Sequence, residues 1–575
     1  MFLIIKKSLI SIKFSIFSRK NWFYILKTLN FKEKFLILVL SLTALVALAF
    51  WAGKIFLSLT KEIPDFGGIY SEGVIGQPSY INPLLSQNNE VDAAISDIIY
   101  SGLLRNDKNG QLVNDLADRY EISPDSKEYT FYIKRGVKWH DGLELTSNDI
   151  VFTINTLMNP LFKSSLRQDW QGVKVEKADD YTIKFILENP YFGFLENLTL
   201  GILPEHIWKN IDNEKFHLVK YNLEPIGSGP YKYASYDKDS DGNILNYKID
   251  SFRDYFQGKS YIEEINFNFY ANEQDLLDAY NRKKISGISN VSSQNGNLDI
   301  LRKNTSLYEI KIPWSFSVFF NRNKSISLAN KEIRLALDLA TDKQQLIKDA
   351  LAGKATILES PFFTGTEEFN TKIERNNFNL EKANKVLDEA KWEAGDDGIR
   401  SKNGVKMEFK LMTVDSPDLI KTAEILKEQW KKIGANVDIE ALDFSDIQQN
   451  YIKPREYDAI LVGQDSSFNV DPYSFWHSSQ KKDPGLNLAL FDDARADKLI
   501  EEARAEANKE ERKNKYYEFQ EIIKDQVPAV FLFSPYYLYV VDNKIKGIEI
   551  ENINSSQFRF SNINNWYIKT KRVKK

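Results

Sequence analysis

LADRYEISPDSKEYTFYIKRGVKWHDGLELTSNDIVF, residues 116–152, carries more information about the fold than any other stretch of this 575-residue chain. Within it, residues 129–139 alternate apolar and polar side chains and contain Gly136, the pattern of a half-buried strand that ends in a turn. Residues 181–187, YTIKFIL, read as another strand. Working outward, residues 90–103 read as a helix, with Val91, Ala94, Ile95, Ile98 and Ile99 at three- and four-residue spacing. Residues 331–351 and 380–392 are amphipathic helices; residues 420–433 form another, stopped by Gly434 and followed by strands at 435–442 and 457–462. Strands that alternate with helices imply mixed α/β layers.

The composition supports a packed interior: 43% hydrophobic, 27% charged and 13% aromatic residues are not the signature of a disordered chain. Zero cysteines exclude disulfides, thiol catalysis, cysteine-bound zinc and a lipid-modified cysteine. The net charge of -4 conceals a strong asymmetry. Nine of the 76 Lys and Arg fall within residues 1–60, beside a single acid, Glu33, which leaves 67 basic and 79 acidic residues beyond. An acidic body argues against a nucleic-acid partner, which requires a clustered basic face. The final Lys569, Lys571, Arg572, Lys574 and Lys575 read as a solvated basic tail, with contact to a membrane surface as the second reading.

Residues 35–53, FLILVLSLTALVALAFWAG, carry no charge. A helix rising about 1.5 Å per residue over that length crosses most of a roughly 30 Å hydrocarbon core. The preceding leader is rich in Lys and Arg, which stay on the cytoplasmic side, so the body is expected outside. A cleaved secretory signal is the other reading, because Ala47-Leu48-Ala49 offers a small-x-small site. The long leader and the apolar residues beyond that site favour an uncleaved anchor.

The order of local signatures resembles the family 5 extracytoplasmic solute-binding proteins, which include dipeptide-, oligopeptide- and nickel-binding components of ABC importers. The resemblance runs over about residues 67–560. It begins at Tyr80-Ile81-Asn82-Pro83-Leu84 and Tyr100-Ser101-Gly102-Leu103-Leu104, and is densest across residues 116–152. It continues through Ile226-Gly227-Ser228-Gly229-Pro230-Tyr231, Phe319-Phe320-Asn321, Ile333-Arg334-Leu335-Ala336-Leu337, Ala390-Lys391-Trp392 and Asp471-Pro472. Lys391 stands where the family usually has Gly. The resemblance implies an α/β, two-lobed type II periplasmic-binding-protein (Venus-flytrap) fold with an extra subdomain on lobe one, preceded here by one transmembrane helix. The expected division is a basic cytoplasmic leader at 1–34, a transmembrane anchor at 35–59 and a connector at 60–66. Lobe I then takes 67–108, its extra subdomain 109–227, and a second part 228–318. Lobe II takes 319–529, and 530–575 form the last part of lobe I with the basic tail.

The same resemblance implies a binding protein that encloses a peptide or another small solute between its lobes and presents it to the membrane subunits of an ABC importer. It also implies that no cofactor is needed. In peptide-binding relatives a strand similar to residues 457–463 is followed by a Trp and then by an Asp that pairs with the ligand's α-ammonium. Here the Trp position holds Gln464, Ser467 or Phe468 stands where the acid would, and Asp465 is the nearest carboxylate, with Ser466 beside it. Ser79, Tyr80 and Asn82 from the first loop, with Trp314 and Phe316, are further candidates to contact a ligand, although a Trp or Phe at strand spacing is more often core. Trp139, His140 and Asp141 read as structural. Asp237, Asp239 and Asp241 with Gly242 begin like a calcium loop, but position 12 is Lys248, so a polar hairpin tip is the better reading and no metal is assigned. Four scattered histidines and the lack of phosphate-loop, GxSxG and GxGxxG motifs argue against an enzyme. An oligosaccharide or metal chelate on the same scaffold, or a flytrap used as a sensor without transport, are the rival readings.

Overall fold

The computed structural model describes residues 28–162, 164–191, 193–293, 301–466 and 471–575, in two units: a terminal unit, ending at Asp65 and including Lys569–Lys575, and a body, Phe66–Ile568. Most of the expected leader therefore lies outside the described residues.

In the terminal unit the helix Phe31–Leu59 starts at a capping box, in which the Asn30 side chain accepts from the Glu33 amide (3.0 Å) and the Glu33 carboxylate accepts from the Asn30 amide (2.9 Å). None of its residues is buried, and an 18-residue window within it with a mean hydropathy of 2.6 makes it long and apolar enough to cross a membrane. It passes directly into the strand Thr60–Asp65, which pairs antiparallel with Lys569–Lys574. This differs from the expected connector and solvated tail. Backbone pairing uses both segments, because an edge partner satisfies amides that a free end would leave to water.

In the body one sheet runs through both lobes. Its order is Asn436–Leu442, Glu408–Val414, Ala459–Asp465, Trp314–Phe320, Ala529–Asp542, Gly287–Ile288, Ile69–Ile75, Glu264–Tyr270, Ile244–Ser251 and Tyr231–Lys238. The long strand Ala529–Asp542 joins the halves. Its start pairs with Phe316–Phe319, and its continuation from Tyr536 pairs with Thr305–Lys311. Beside it, Lys311 and Trp314 are separated only by Ile312 and Pro313, so a second crossing runs next to the first.

Strict alternation along these strands builds a core on each face. In lobe II, Val318, Phe320, Leu411, Leu461, Val530 and Leu532 pack with Leu337 and Trp430, whereas Phe319, Met412, Ile460, Val462 and Phe531 pack with Trp476 and Phe519. In lobe I, Tyr537, Tyr539 and Val541 pack with Tyr70, Phe267 and Trp566, and Leu538 and Val540 turn to Leu276, Tyr280 and Ile288. The strand Glu128–Ile133 falls where alternation places it, in a four-stranded sheet with Ala117–Ile122, Thr182–Leu187 and Val173–Asp179. Tyr129, Phe131, Ile183 and Phe185 are buried with Ile150 and Ile154 of the helix Ser147–Met158, in a core continuous with that of Tyr70 and Phe267.

Tertiary contacts reset several boundaries. The first body helix spans Glu90–Ile99 and stops there because Ser101, Gly102 and Leu103 lend their carbonyls to the amides of Ile202, Leu116 and Ala117. The expected helix 331–351 is two, Lys331–Leu339 and Lys343–Leu351. Between them Asp342 caps the second, and the Trp430 indole donates to the Leu337 carbonyl and the Thr341 hydroxyl, both at 3.0 Å.

The His140 ring explains the pairing of two motifs. It accepts from the Gly227 amide at Nδ1 and donates from Nε2 to the Gly229 carbonyl, both at 3.1 Å, and burial holds its pKa down at about 4, so the imidazole is neutral. A Cβ on Gly227 would lie 1.9 Å from the Ile99 carbonyl oxygen, which leaves glycine as the residue that fits.

At the centre of lobe I, Glu72 accepts four hydrogen bonds: from Arg559 Nε (2.9 Å) and Nη2 (2.8 Å), and from the Tyr70 (2.7 Å) and Tyr539 (2.6 Å) hydroxyls. Glu72 and Arg559 are fully enclosed. Removing one partner strands the other's charge in a dry interior. Arg559→Ala should therefore destabilise the protein by about 3–5 kcal/mol in denaturant unfolding, far more than truncation of a solvent-exposed lysine.

Candidate ligand-binding cleft

A cavity of about 1260 Å³ opens between two walls of the body. One wall is built by residues 187–191, 193–197 and 168–173 with Asn554 and Phe558, the other by Asp465, Ser466, Asp471, Tyr473, Glu501, Arg504, Arg512 and Tyr516. Asp465 ends the strand Ala459–Asp465, opposite Trp314 in the antiparallel register. The residue is exposed, while crowding by protein atoms and the charge of Glu90 raise its pKa to about 6 against the opposing hydrogen bond from the Trp314 indole. Farther along the same wall, Asp471 forms an ion pair with Arg504, 2.8 Å from its Nε, and accepts from the Tyr473 amide at 3.0 Å. The Arg504 guanidinium lies 4.4 Å from the centre of the Tyr473 ring and 5.1 Å from that of Tyr191, so it touches aromatic faces from both lobes.

The sequence-derived candidates divide into two groups. Asp465 and Ser466 line the cavity. Ser466 is positioned by its amide and its hydroxyl, which both donate to the Pro313 carbonyl at 3.1 Å. Gln464 turns away and donates to the Leu486 carbonyl at 3.0 Å. Trp314 stands behind Asp465, and Phe316 stacks on Phe533 (5.3 Å) and covers Gly463, where a Cβ would approach the Phe316 ring to 2.6 Å. The first loop is architectural: Asp92 accepts from the Ser79 (2.7 Å) and Tyr80 (2.9 Å) amides, and buried Asn82 accepts from the Leu84 amide and donates to Asn222. Ser467 and Phe468 lie outside the described residues. Tyr191, Tyr473, Arg504 and Arg512 escaped the sequence reading because no local pattern links such distant positions. Asp471-Pro472 was the one visible signal, and it served only as a marker of chain order.

The hairpin reading of residues 237–244 fits the geometry. Asp239 accepts from the Asp241 and Asn243 amides (2.9 and 2.8 Å) and from the Asn243 side chain (2.9 Å), and Asp237 accepts from Asn246. Among the described residues no group of three or more His, Asp or Glu side chains is placed to hold a metal.

Comparison with known proteins places this architecture. The model of the bacterial extracellular solute-binding proteins, family 5, matches residues 111–487. The chain belongs to that family. It is 28% identical over 500 residues to the oligopeptide-binding protein AppA of Bacillus subtilis, covering 84% of this chain and 89% of that protein. The structure of AppA in complex with a nonapeptide superposes with a TM-score of 0.72 at 26% identity, over 88% of this chain and all of that one. NikZ of Campylobacter jejuni, solved with Ni(L-His), gives 0.73 at 25% identity, over 87% of this chain and 99% of that one. Family 5 thus accounts for the two-lobed periplasmic-binding-protein fold and for a body built to bind solutes, not to turn them over.

A second cavity of this family 5 protein, about 590 Å³, lies beside the first helix of lobe I and is lined by Asp97, Arg105, Asp115, Tyr255 and Gln257. Asp115 accepts from Gln257 Nε2 at 2.5 Å and lies 3.8 Å from Arg105 Nε. Burial raises the Asp97 carboxyl to about 7, helped by the neighbouring Asp115, which burial raises to about 6. An acid whose pKa is raised on folding favours the native state below its unfolded pKa of about 4, and that contribution disappears as pH rises through the folded value. Asp97→Asn should therefore raise the thermal midpoint at pH 8, and the gain should vanish near pH 4.

Proposed function

We propose that the body captures peptides, or zwitterions that resemble them, in the cleft between the lobes and delivers them to the membrane subunits of an ABC importer, while the Phe31–Leu59 helix keeps the body tethered outside the cell. The observation that carries this reading is the Asp465 carboxylate, open to the large cavity and backed by the Trp314 indole. A cationic ligand end that leaves water needs a fixed counter-charge in exchange, and Asp465 is placed to supply it. Arg504 and Arg512 on the same wall set cationic groups near a ligand's carboxylate end. The volume exceeds the roughly 300–1,000 Å³ of pockets for drug-sized molecules, which suits an extended oligomer. Relatives that bind peptides, AppA among them, support the choice. The two adjacent crossings at Ile312-Pro313 and Ser534-Pro535 support a pivot at that point, and contacts made only when the lobes close would drive the closure.

Thermal-shift titration of the full chain against peptides, oligosaccharides and metal chelates tests the ligand class. Peptides should stabilise it, with affinity that weakens as pH falls through about 6, because protonation removes the charge that Asp465 offers. Asp465→Ala should weaken peptides several-fold and lose discrimination between free and N-acetylated ends. Stabilisation by sugars or chelates alone would sink the reading. For the tether, the mature protein should stay with membranes through alkaline extraction; release of a body lacking residues 35–49 would mean that the segment is a cleaved signal.

A further inference from the structure

We propose that the hairpin directly beyond the anchor helix is a basic collar that binds anionic phospholipid headgroups of the outer leaflet; the idea rests on reading Phe31–Leu59 as a span. The uncharged run ends at Gly53, and Lys54 marks the edge of the hydrocarbon. From there, five residues of helix, about 8 Å, lead to Thr60, roughly the depth of one headgroup layer. The hairpin therefore begins where lipid phosphates are.

Its lysines arrive there by folding. Thr60 stands opposite Lys574, and Asp65 opposite Lys569. The Lys575 amide donates to the Leu59 carbonyl at 2.9 Å, and Arg572 donates from Nε to Thr60 Oγ1 (3.0 Å) and from Nη2 to the Thr60 carbonyl (3.2 Å). The chain end is thus fastened to the last helical turn. Two cations are internally compensated: Lys571 pairs with Asp65 (3.0 Å) and Arg572 with Glu62 (3.1 Å). Lys61, Lys569, Lys574 and Lys575 are exposed and make no ion pair among the described residues. Beyond residue 60 the chain as a whole carries an excess of acid, so this cationic end is a local exception. Anionic headgroups are the complement that covalent continuity with the helix brings within reach. The arrangement also respects the orientation signal: basic residues count when they lie within about 15–20 residues of a span, and the terminal strand is some five hundred residues away when the helix inserts.

The chain has no cysteine, so Thr570→Cys in the full-length protein gives one site for an environment-sensitive dye. In nanodiscs of phosphatidylcholine with phosphatidylglycerol, acrylamide quenching of the dye should be about twofold weaker than in pure phosphatidylcholine, and high salt should cancel the difference. Changing Lys61, Lys569, Lys574 and Lys575 together to Gln should abolish the difference, and changing them to Arg should preserve it. Equal quenching in the two lipids, or protection that persists in the Gln variant, overturns the proposal. Alkaline extraction of the same preparations separates the two premises: a chain retained in the bilayer with lipid-independent quenching sinks the collar alone, whereas a chain released from the bilayer sinks the span and the collar with it.

Discussion

A single continuous strand, Ala529–Asp542, is the constraint on which the body depends. Its first residues belong to the interior of one lobe and its last to the interior of the other. It therefore fixes the spacing of two cores that otherwise pack separately. Pro535, at the change of partners, brings no amide hydrogen, and Ser534 fills the gap by donating to the Ile312 carbonyl of the neighbouring crossing at 3.0 Å. The cleft follows from this geometry. Asp465 lies one strand away, next to the Lys311–Trp314 crossing, so the charged group is built on sheet and not on a free loop.

The polar interior of lobe I and the polar lining of the cleft obey the same rule with different outcomes. Glu72 and Arg559 are fully buried, and every strong group has a partner, which makes them a fixed part of the framework. Asp465 is exposed on the cavity beside the Trp314 indole, and at Asp97 burial and the neighbouring Asp115 outweigh Arg559 and Arg105. Burial that is complete and satisfied gives rigidity, whereas burial that is incomplete leaves a charge available to a ligand or a proton.

Periodicity made much of the fold legible. The alternation in residues 129–139 and 181–187, the helix expected at 380–392, which spans Leu380–Glu389, and the strands near 435 and 459 all appear, because two- and 3.6-residue repeats record burial directly. Boundaries set by remote partners were not legible. Nothing local ends the helix at Ile99, nor does anything local divide residues 331–351; distant carbonyls and the Trp430 indole do that. The cleft was half-visible: the strand before Asp465 announced one wall, while Tyr191, Tyr473 and Arg504 became neighbours only through closure of the chain.

By itself, then, the sequence determined the α/β class, the family and the apolar helix, since each is written in a short repeat or an ordered series of motifs. Tertiary structure alone decided which aromatic and cationic groups share a wall, that the backbone of the first loop is held by Asp92, and that the last lysines lie against the end of the apolar helix. The physical reason is that pairing between strands is specified by edges and registers that residues hundreds of positions apart complete together, and no local pattern records them.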